Sequence, residues 1–177
     1  MKGRGARAGV VALFLVLVVL AAGSMAAAHS SGVPRTVLRT GNATQDGKLV
    51  NASWTSFDGT FCVTQISDGT PTFPAHAATW KPGSKIRIQL RKKQRPDQLT
   101  IRSWASLRNE RPVGAGELVS YGLSRTMRKG RYIWVASFTP KVTSHLYLRI
   151  RSSWVDTGSE CGGVQMGTWQ FHVVRAL

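Results

Sequence analysis

Acidic side chains are scarce: 8 Asp and Glu stand against 24 Lys and Arg in 177 residues, a formal net charge of +16. Carboxylate-dyad hydrolases, calcium cages and two-metal nucleases all need clustered Asp and Glu, so the shortage argues against each. Cysteine is equally sparse. Cys62 and Cys161 are too few for a cysteine-rich miniprotein or a four-cysteine zinc site. The histidines (His29, His76, His145 and His172) are dispersed and have no Asp or Glu beside them, so no metal centre is expected. No Gly-x-Ser-x-Gly elbow or Ser-x-x-Lys pair occurs, and the glycine-rich stretch 158–167 has neither a Lys nor a helix to cradle phosphates. The expectation is a protein that is not an enzyme and carries no cofactor. A site assembled from dispersed residues such as His172 and Asp156 is the minor alternative.

What is present begins with an address. Lys2, Arg4 and Arg7 precede a run from Val10 to Gly23 without a polar side chain, and Ser24, Met25, Ala26, Ala27 and Ala28 follow. A basic start, an apolar stretch and a small-x-small ending form a secretory signal peptide over residues 1–28, with the cut before His29. An uncleaved anchor is the rival, because a membrane span needs about 20 apolar residues. The Ala-rich final third suits a peptidase better. Removing residues 1–28 takes away three of the 24 bases and none of the 8 acids, which leaves +13. The protein is therefore expected to be secreted or to lie in the extracytoplasmic cell envelope, and to meet a membrane only if that segment is retained.

Hydrophobic residues make up 42 %, enough for a packed core. Residues 29–47, rich in Ser, Gly, Thr and Asn, read as a flexible lead-in, and 48–177 as one domain. Turn residues recur there: Asp58-Gly59, Asp68-Gly69, Lys81-Pro82-Gly83, Arg95-Pro96-Asp97, Lys129-Gly130 and Gly162-Gly163. Between them apolar residues alternate with period two, as in Ile86/Ile88/Leu90, Leu99/Ile101, Leu146/Leu148/Ile150 and Trp169/Phe171/Val173. Tyr132, Trp134, Ala136 and Phe138 follow the same period, and no window of a dozen residues has a period of 3.6. One short helical turn is placed at 75–80. Six to eight short strands at this spacing predict an all-β antiparallel sandwich, with a closed barrel second.

Four stretches carry a resemblance. Trp80-Lys81-Pro82-Gly83 leads into Lys85–Leu90, Arg95-Pro96-Asp97 leads into Leu99–Trp104, Gly130-Arg131-Tyr132-Ile133-Trp134 follows a turn, and Gly167-Thr168-Trp169-Gln170-Phe171-His172-Val173 forms the last strand-like run. Over about residues 60–175 this resembles the immunoglobulin-like module of many small exported bacterial proteins without an assigned activity, and the Ala- and Arg-rich leader looks actinobacterial. The resemblance implies an immunoglobulin- or fibronectin-like sandwich and carries over no functional residue. The cysteines depart from the antibody pattern, in which both lie on facing strands. Cys62 is in a strand-like run and Cys161 in a glycine-rich turn. Export favours pairing them, and closing the 99-residue separation stabilises a fold by roughly 4–5 kcal/mol in the chain-entropy picture.

The bases fall into three groups: Lys85, Arg87, Arg91, Lys92, Lys93 and Arg95; then Arg125, Arg128, Lys129 and Arg131; then Arg149 with Arg151. If the strands 85–91, 145–151 and 168–174 share a sheet, Arg87, Arg91, Arg149, Arg151, Gln170 and His172 form a basic platform for sulfate, phosphate or carboxylate groups. The bland alternative is a solvated face that keeps the protein soluble. Trp104 and Trp154, at strand ends, are read as core plugs ahead of a sugar-binding pair. The expected partner is an anionic envelope polymer or an acidic protein, with no specific nucleic acid. The second expectation is a structural or protein-binding envelope component whose charge is incidental.

Overall fold

The computed structural model describes residues 33–41, 43–57, 59–141, 144–157 and 160–176, so the signal-peptide reading lies outside the described residues. Among these there are fourteen strands and no helix: β1 (Thr36–Thr40), β2 (Ala43–Asp46), β3 (Lys48–Phe57), β4 (Cys62–Asp68), β5 (Ala78–Trp80), β6 (Ile86–Leu90), β7 (Gln98–Trp104), β8 (Leu107–Arg108), β9 (Arg111–Pro112), β10 (Glu117–Leu118), β11 (Gly122–Arg128), β12 (Arg131–Phe138), β13 (His145–Val155) and β14 (Val164–Arg175). None of the described residues forms a helix long and apolar enough to cross a membrane.

The strands build two sheets that face one core. The five-stranded sheet runs β11-β12-β6-β1-β2, and the seven-stranded sheet runs β10-β7-β13-β14-β3-β4 with β5 added parallel to β14. Every other pairing is antiparallel, and β8 with β9 forms a separate ribbon. Leu38, Ile86, Ile88, Leu90, Ala136 and Phe138 of the first sheet meet Ile101, Leu148, Ile150, Trp154, Trp169 and Phe171 of the second. This is a β-sandwich with open edges rather than a closed barrel. The period-two pattern accounts for it, because alternate side chains leave a strand on opposite faces. Ile86, Ile88, Leu90, Leu148 and Ile150 are all fully buried.

One end of the core is filled by indoles. Trp154 meets Trp54 and Trp169 edge to face, with both pairs of ring centroids 6.4 Å apart. Such pairs add about 0.5–1.5 kcal/mol beyond their area burial. Gly167 is required here, since a Cβ on it would come within 2.2 Å of the Trp169 ring.

Two local expectations are corrected. The lead-in 29–47 holds β1 and β2, and Val37 and Leu38 of β1 are completely buried. The sandwich therefore begins before residue 48, because β6 needs a partner on the side away from β12 and β1 supplies it. The helical turn placed at 75–80 is instead the short strand β5, with Ala78 and Trp80 buried against β14.

Cys62 and Cys161 are joined in a disulfide, their Cα atoms 5.4 Å apart. It ties the start of edge strand β4 to the turn before β14, away from the sandwich centre. Loop-closure entropy predicts that the Cys62→Ser/Cys161→Ser protein loses about 4–5 kcal/mol. Urea unfolding of the oxidised and cysteine-free proteins measures the difference, and a loss below about 1 kcal/mol would show that the bridge constrains little.

Candidate anion-binding site

Alternation on β6 sends Ile86, Ile88 and Leu90 inward and leaves Arg87 and Gln89 on the outer face. On β1, Arg39 stands opposite Arg87, and Arg35 lies beside Arg91 through an Arg91 N–H to Arg35 carbonyl bond of 3.1 Å. From β11, Arg128 Nη1 donates to Gln89 Oε1 at 2.7 Å, which holds its guanidinium over the same face. Five arginines (Arg35, Arg39, Arg87, Arg91 and Arg128) thus share one surface. Arg35 is bidentate on Asp46, with Nε to Oδ1 at 2.8 Å and Nη2 to Oδ2 at 2.5 Å. Burial, then the like charges of Arg35, Arg128 and Arg39, push the Arg91 guanidinium below its ordinary value, and Asp46 offsets this only in part. Arg39 Nε is buried without a hydrogen-bond partner.

Pairing of β12 with β6 brings the first two basic groups of the sequence together. Trp134 lies opposite Leu90, so the tip of the β11–β12 hairpin stands next to the chain leaving β6. Lys129 and Gly130 close that hairpin with φ of 49° and 72°, the paired positive values of the tight turn that matches strand twist. Between these segments lies a groove of about 820 Å³, lined by Arg91, Lys93, Arg128, Lys129, Arg131 and Tyr132. A shallower groove of about 540 Å³ shares Lys93 and adds Arg95, Arg125 and Trp134. No acid lines either groove. Aromatic rings hold two of these cations: Arg125 lies 3.7 Å from the Tyr132 ring centre and Arg95 5.8 Å from that of Trp134. Lys92 departs from its group. Its Nζ donates to Gln165 Oε1 at 2.6 Å and sits over Trp54 and Trp154, where burial pushes its pKa down.

The expected single platform is divided. Arg87 and Arg91 belong to the five-stranded sheet, whereas Arg149, Arg151, Gln170 and His172 lie on the seven-stranded one. The strands 85–91, 145–151 and 168–174 do not share a sheet, because β6 takes β1 and β12 as neighbours while β13 and β14 take each other. Nor is the second face open. The segment 70–76 crosses it as a strap, and Phe73 is buried edge to face against Trp104 and Tyr147 at 6.2 and 5.2 Å. Gln170 is fully buried; its amide donates to Thr72 O at 2.8 Å and accepts from Arg149 Nη2 at 3.1 Å. Lys48 reaches Thr72 Oγ1 from β3. Arg149 is half-buried with its guanidinium 5.2 Å from the Trp104 ring centre, and Arg151 alone of this group is exposed.

His172 fastens the strap. Its ring stacks on Tyr147 at 4.4 Å, and Nε2 meets His145 Nδ1 at 3.2 Å. It also bonds the backbone of Pro74. Proline has no N–H, so His172 is the donor there, through Nδ1, and in the neutral ring Nε2 is left to accept from His145. Burial first, and then His145, hold the His172 pKa below the usual histidine value, with the Pro74 bond opposing. Asp156, paired with His172 in the minor catalytic alternative, accepts from Gln165 Nε2 at 3.2 Å instead. Gln165 and His172 are seven residues apart on one strand, about 23 Å at 3.3 Å per residue, so the two do not form a site.

Trp154, 0 % exposed, is the expected core plug, whereas Trp104 is also buried, at 6 %, but on the covered outer face of its sheet. Trp104 lies outside the core, under the 113–116 loop, with Nε1 donating to Gly114 O at 3.1 Å. Among the described residues no group of three His, Cys, Asp or Glu is placed to hold a metal ion. Sequence reasoning missed Arg35 and Arg39, which lie in the stretch taken as a lead-in. The short run Val37-Leu38 between them was the available signal, too brief to fix a period. Comparison with protein-family models yields no match, and neither curated proteins nor solved structures yield a significant one.

Because His172 titrates lower in the folded chain than in the unfolded one, its contribution is complete above the ordinary histidine value near 6.5. As pH falls further, the unfolded chain takes up its proton first and that contribution is lost. Amide exchange at Thr72, Phe73 and Ala75, corrected for intrinsic rates, is expected to speed up between pH 7 and pH 5, and the change disappears in His172→Gln. Equal protection at both pH values in the parent chain would mean that the strap does not depend on this ring.

Proposed function

We propose that this protein is an exported, non-enzymatic, immunoglobulin- or fibronectin-like module that binds an anionic partner at the cell envelope or outside the cell. The observation that carries the reading is the merger of two basic segments on the five-stranded sheet. Five arginines share an outer face, two acid-free grooves open beside them, and Asp46 is held by Arg35. Guanidinium forks suit sulfate, phosphate and carboxylate groups because two parallel N–H donors match two oxygens. Several are prearranged: Gln89 anchors Arg128, and Tyr132 and Trp134 lie against Arg125 and Arg95. Grooves that continue along a hairpin accommodate a polymer, so an anionic envelope polymer is preferred to a small anion, and an acidic protein is the second choice. Export is supported by the Cys62–Cys161 disulfide, which persists in oxidising compartments.

Salt and charge variants test this reading. Retention on anionic wall polymer is expected to fall as the salt rises from low to about 0.5 M, where the Debye length drops below about 5 Å. Reversal of the exposed bases Lys93, Lys129 and Arg131 to Glu is expected to weaken binding at least tenfold at physiological salt, with a flatter salt dependence. Arg151→Glu, on the other sheet, leaves binding unchanged. Retention indifferent to salt, or lost equally in Arg151→Glu, would place the interaction elsewhere and favour a structural or protein-binding envelope component.

A further inference from the structure

Apart from the three-residue β5 beside β14, the two sheets end in four edge strands, and three carry a feature that discourages strand addition. Edge β10 is two residues long; β2 is four residues and ends at Asp46, bound to Arg35; β11 presents Arg125 and Arg128. Short length and cationic side chains are the ordinary protections of a sheet edge. Edge β4 has neither. Its seven residues, Cys62–Asp68, contain no Lys, Arg or Pro, and every one is exposed. Ile66 is 70 % exposed, as is Phe61 just before the strand. Register with β3 is regular along the whole strand, without a bulge, and the disulfide fixes its first residue to the β14 turn. An exposed edge without a base, a proline or a bulge is a template for another strand.

Charge identifies the occupant. Residues 49–80 contain no Lys or Arg, and neither do 152–174, in a chain that carries 24. These stretches supply β3 apart from Lys48, β4 and the joined ends of β13 and β14, and they hold four of the eight acids. These segments therefore bring no base to their corner of a strongly basic molecule, and among the described residues Lys92 reaches its indoles from the end of β6. Two copies approaching by any basic face repel, whereas approach by this corner keeps their arginine faces apart. An acidic partner is drawn to the opposite face instead.

We propose that β4 is the surface through which two copies of this chain pair, antiparallel, about a two-fold axis at Gln65. That register places Thr64 across from the second copy's Ile66, Val63 across from Ser67 and Cys62 across from Asp68, so no charge faces its like. β-branched cross-strand neighbours are favourable in an antiparallel ladder. The sheet then continues from one copy into the next, and the interface is isologous, as two-fold pairing requires. The pairing does not depend on the anion-binding reading.

Sedimentation velocity of the oxidised protein tests it. The parent chain is expected to move from monomer to twice that mass as its concentration rises, and to do so more readily at high salt, where mutual repulsion is screened; polymer binding has the opposite salt response. Ile66→Lys, a change at an exposed position, is expected to raise the dimer dissociation constant at least tenfold. Gln65→Cys is expected to give a covalent dimer on mild oxidation, because residues opposed across antiparallel strands have Cα atoms about 4.5–5.5 Å apart. A parent chain that stays monomeric at all concentrations, an Ile66→Lys protein that dimerises as tightly, or a Gln65→Cys protein that fails to cross-link would overturn the proposal.

Discussion

Burial of Ile86, Ile88 and Leu90 is the constraint from which the basic surface follows. All three are fully buried in the middle strand of their sheet, with β1 on one side and β12 on the other. Fully burying each side chain is worth about 1.5–3 kcal/mol, so the strand's orientation is not negotiable. Once those residues face inward, Arg87 and Gln89 must face out, and the neighbours bring Arg39 from one side and Arg128 from the other. Repulsion among exposed guanidiniums is small beside this, because water and salt screen it. The core can hold a set of like charges together that the charges themselves oppose.

The two outer faces are used differently. On the five-stranded sheet the bases remain at the surface, and one carboxylate, Asp46, answers Arg35. On the seven-stranded sheet a strap covers the polar side chains, and Gln170, Arg149 and His172 bond the strap or one another. Their polarity serves cohesion there. The end that joins β3, β4 and β14 carries the indole cluster, the disulfide and an edge without bases. Charge is therefore polarised across the molecule although its origin lies in strand order.

Much of the fold was legible. The alternations at 86–90, 146–150 and 169–173 identified inward side chains correctly, and the glycine-rich location of Cys161 correctly placed the disulfide at the periphery. What failed was short or non-local. β1 offers only two consecutive apolar residues, too few to show a period, so the lead-in reading was natural and wrong. Gln170 and His172 obey the alternation perfectly and point away from the core, yet they are covered, because the strap arrives from about a hundred residues earlier in the chain. Lys92 belongs to a run of exposed bases and still turns onto Trp54 and Trp154, since the chain leaves β6 beside that end of the core.

The sequence by itself determined that the fold is built of strands, though six to eight were expected and fourteen form among the described residues. It also determined which side of β6, β13 and β14 is apolar, the excess of base over acid and the cysteine pair available for a bridge. These are local properties: period two and composition act through neighbours in the chain. Only the tertiary structure decided which strands are neighbours. That choice joined the basic segments near 91–95 and 125–131, separated Arg87 from Arg149, and covered one polar face while leaving the other open. Sheet pairing is settled by the fit of distant segments into one core, and no stretch of residues read alone contains that information.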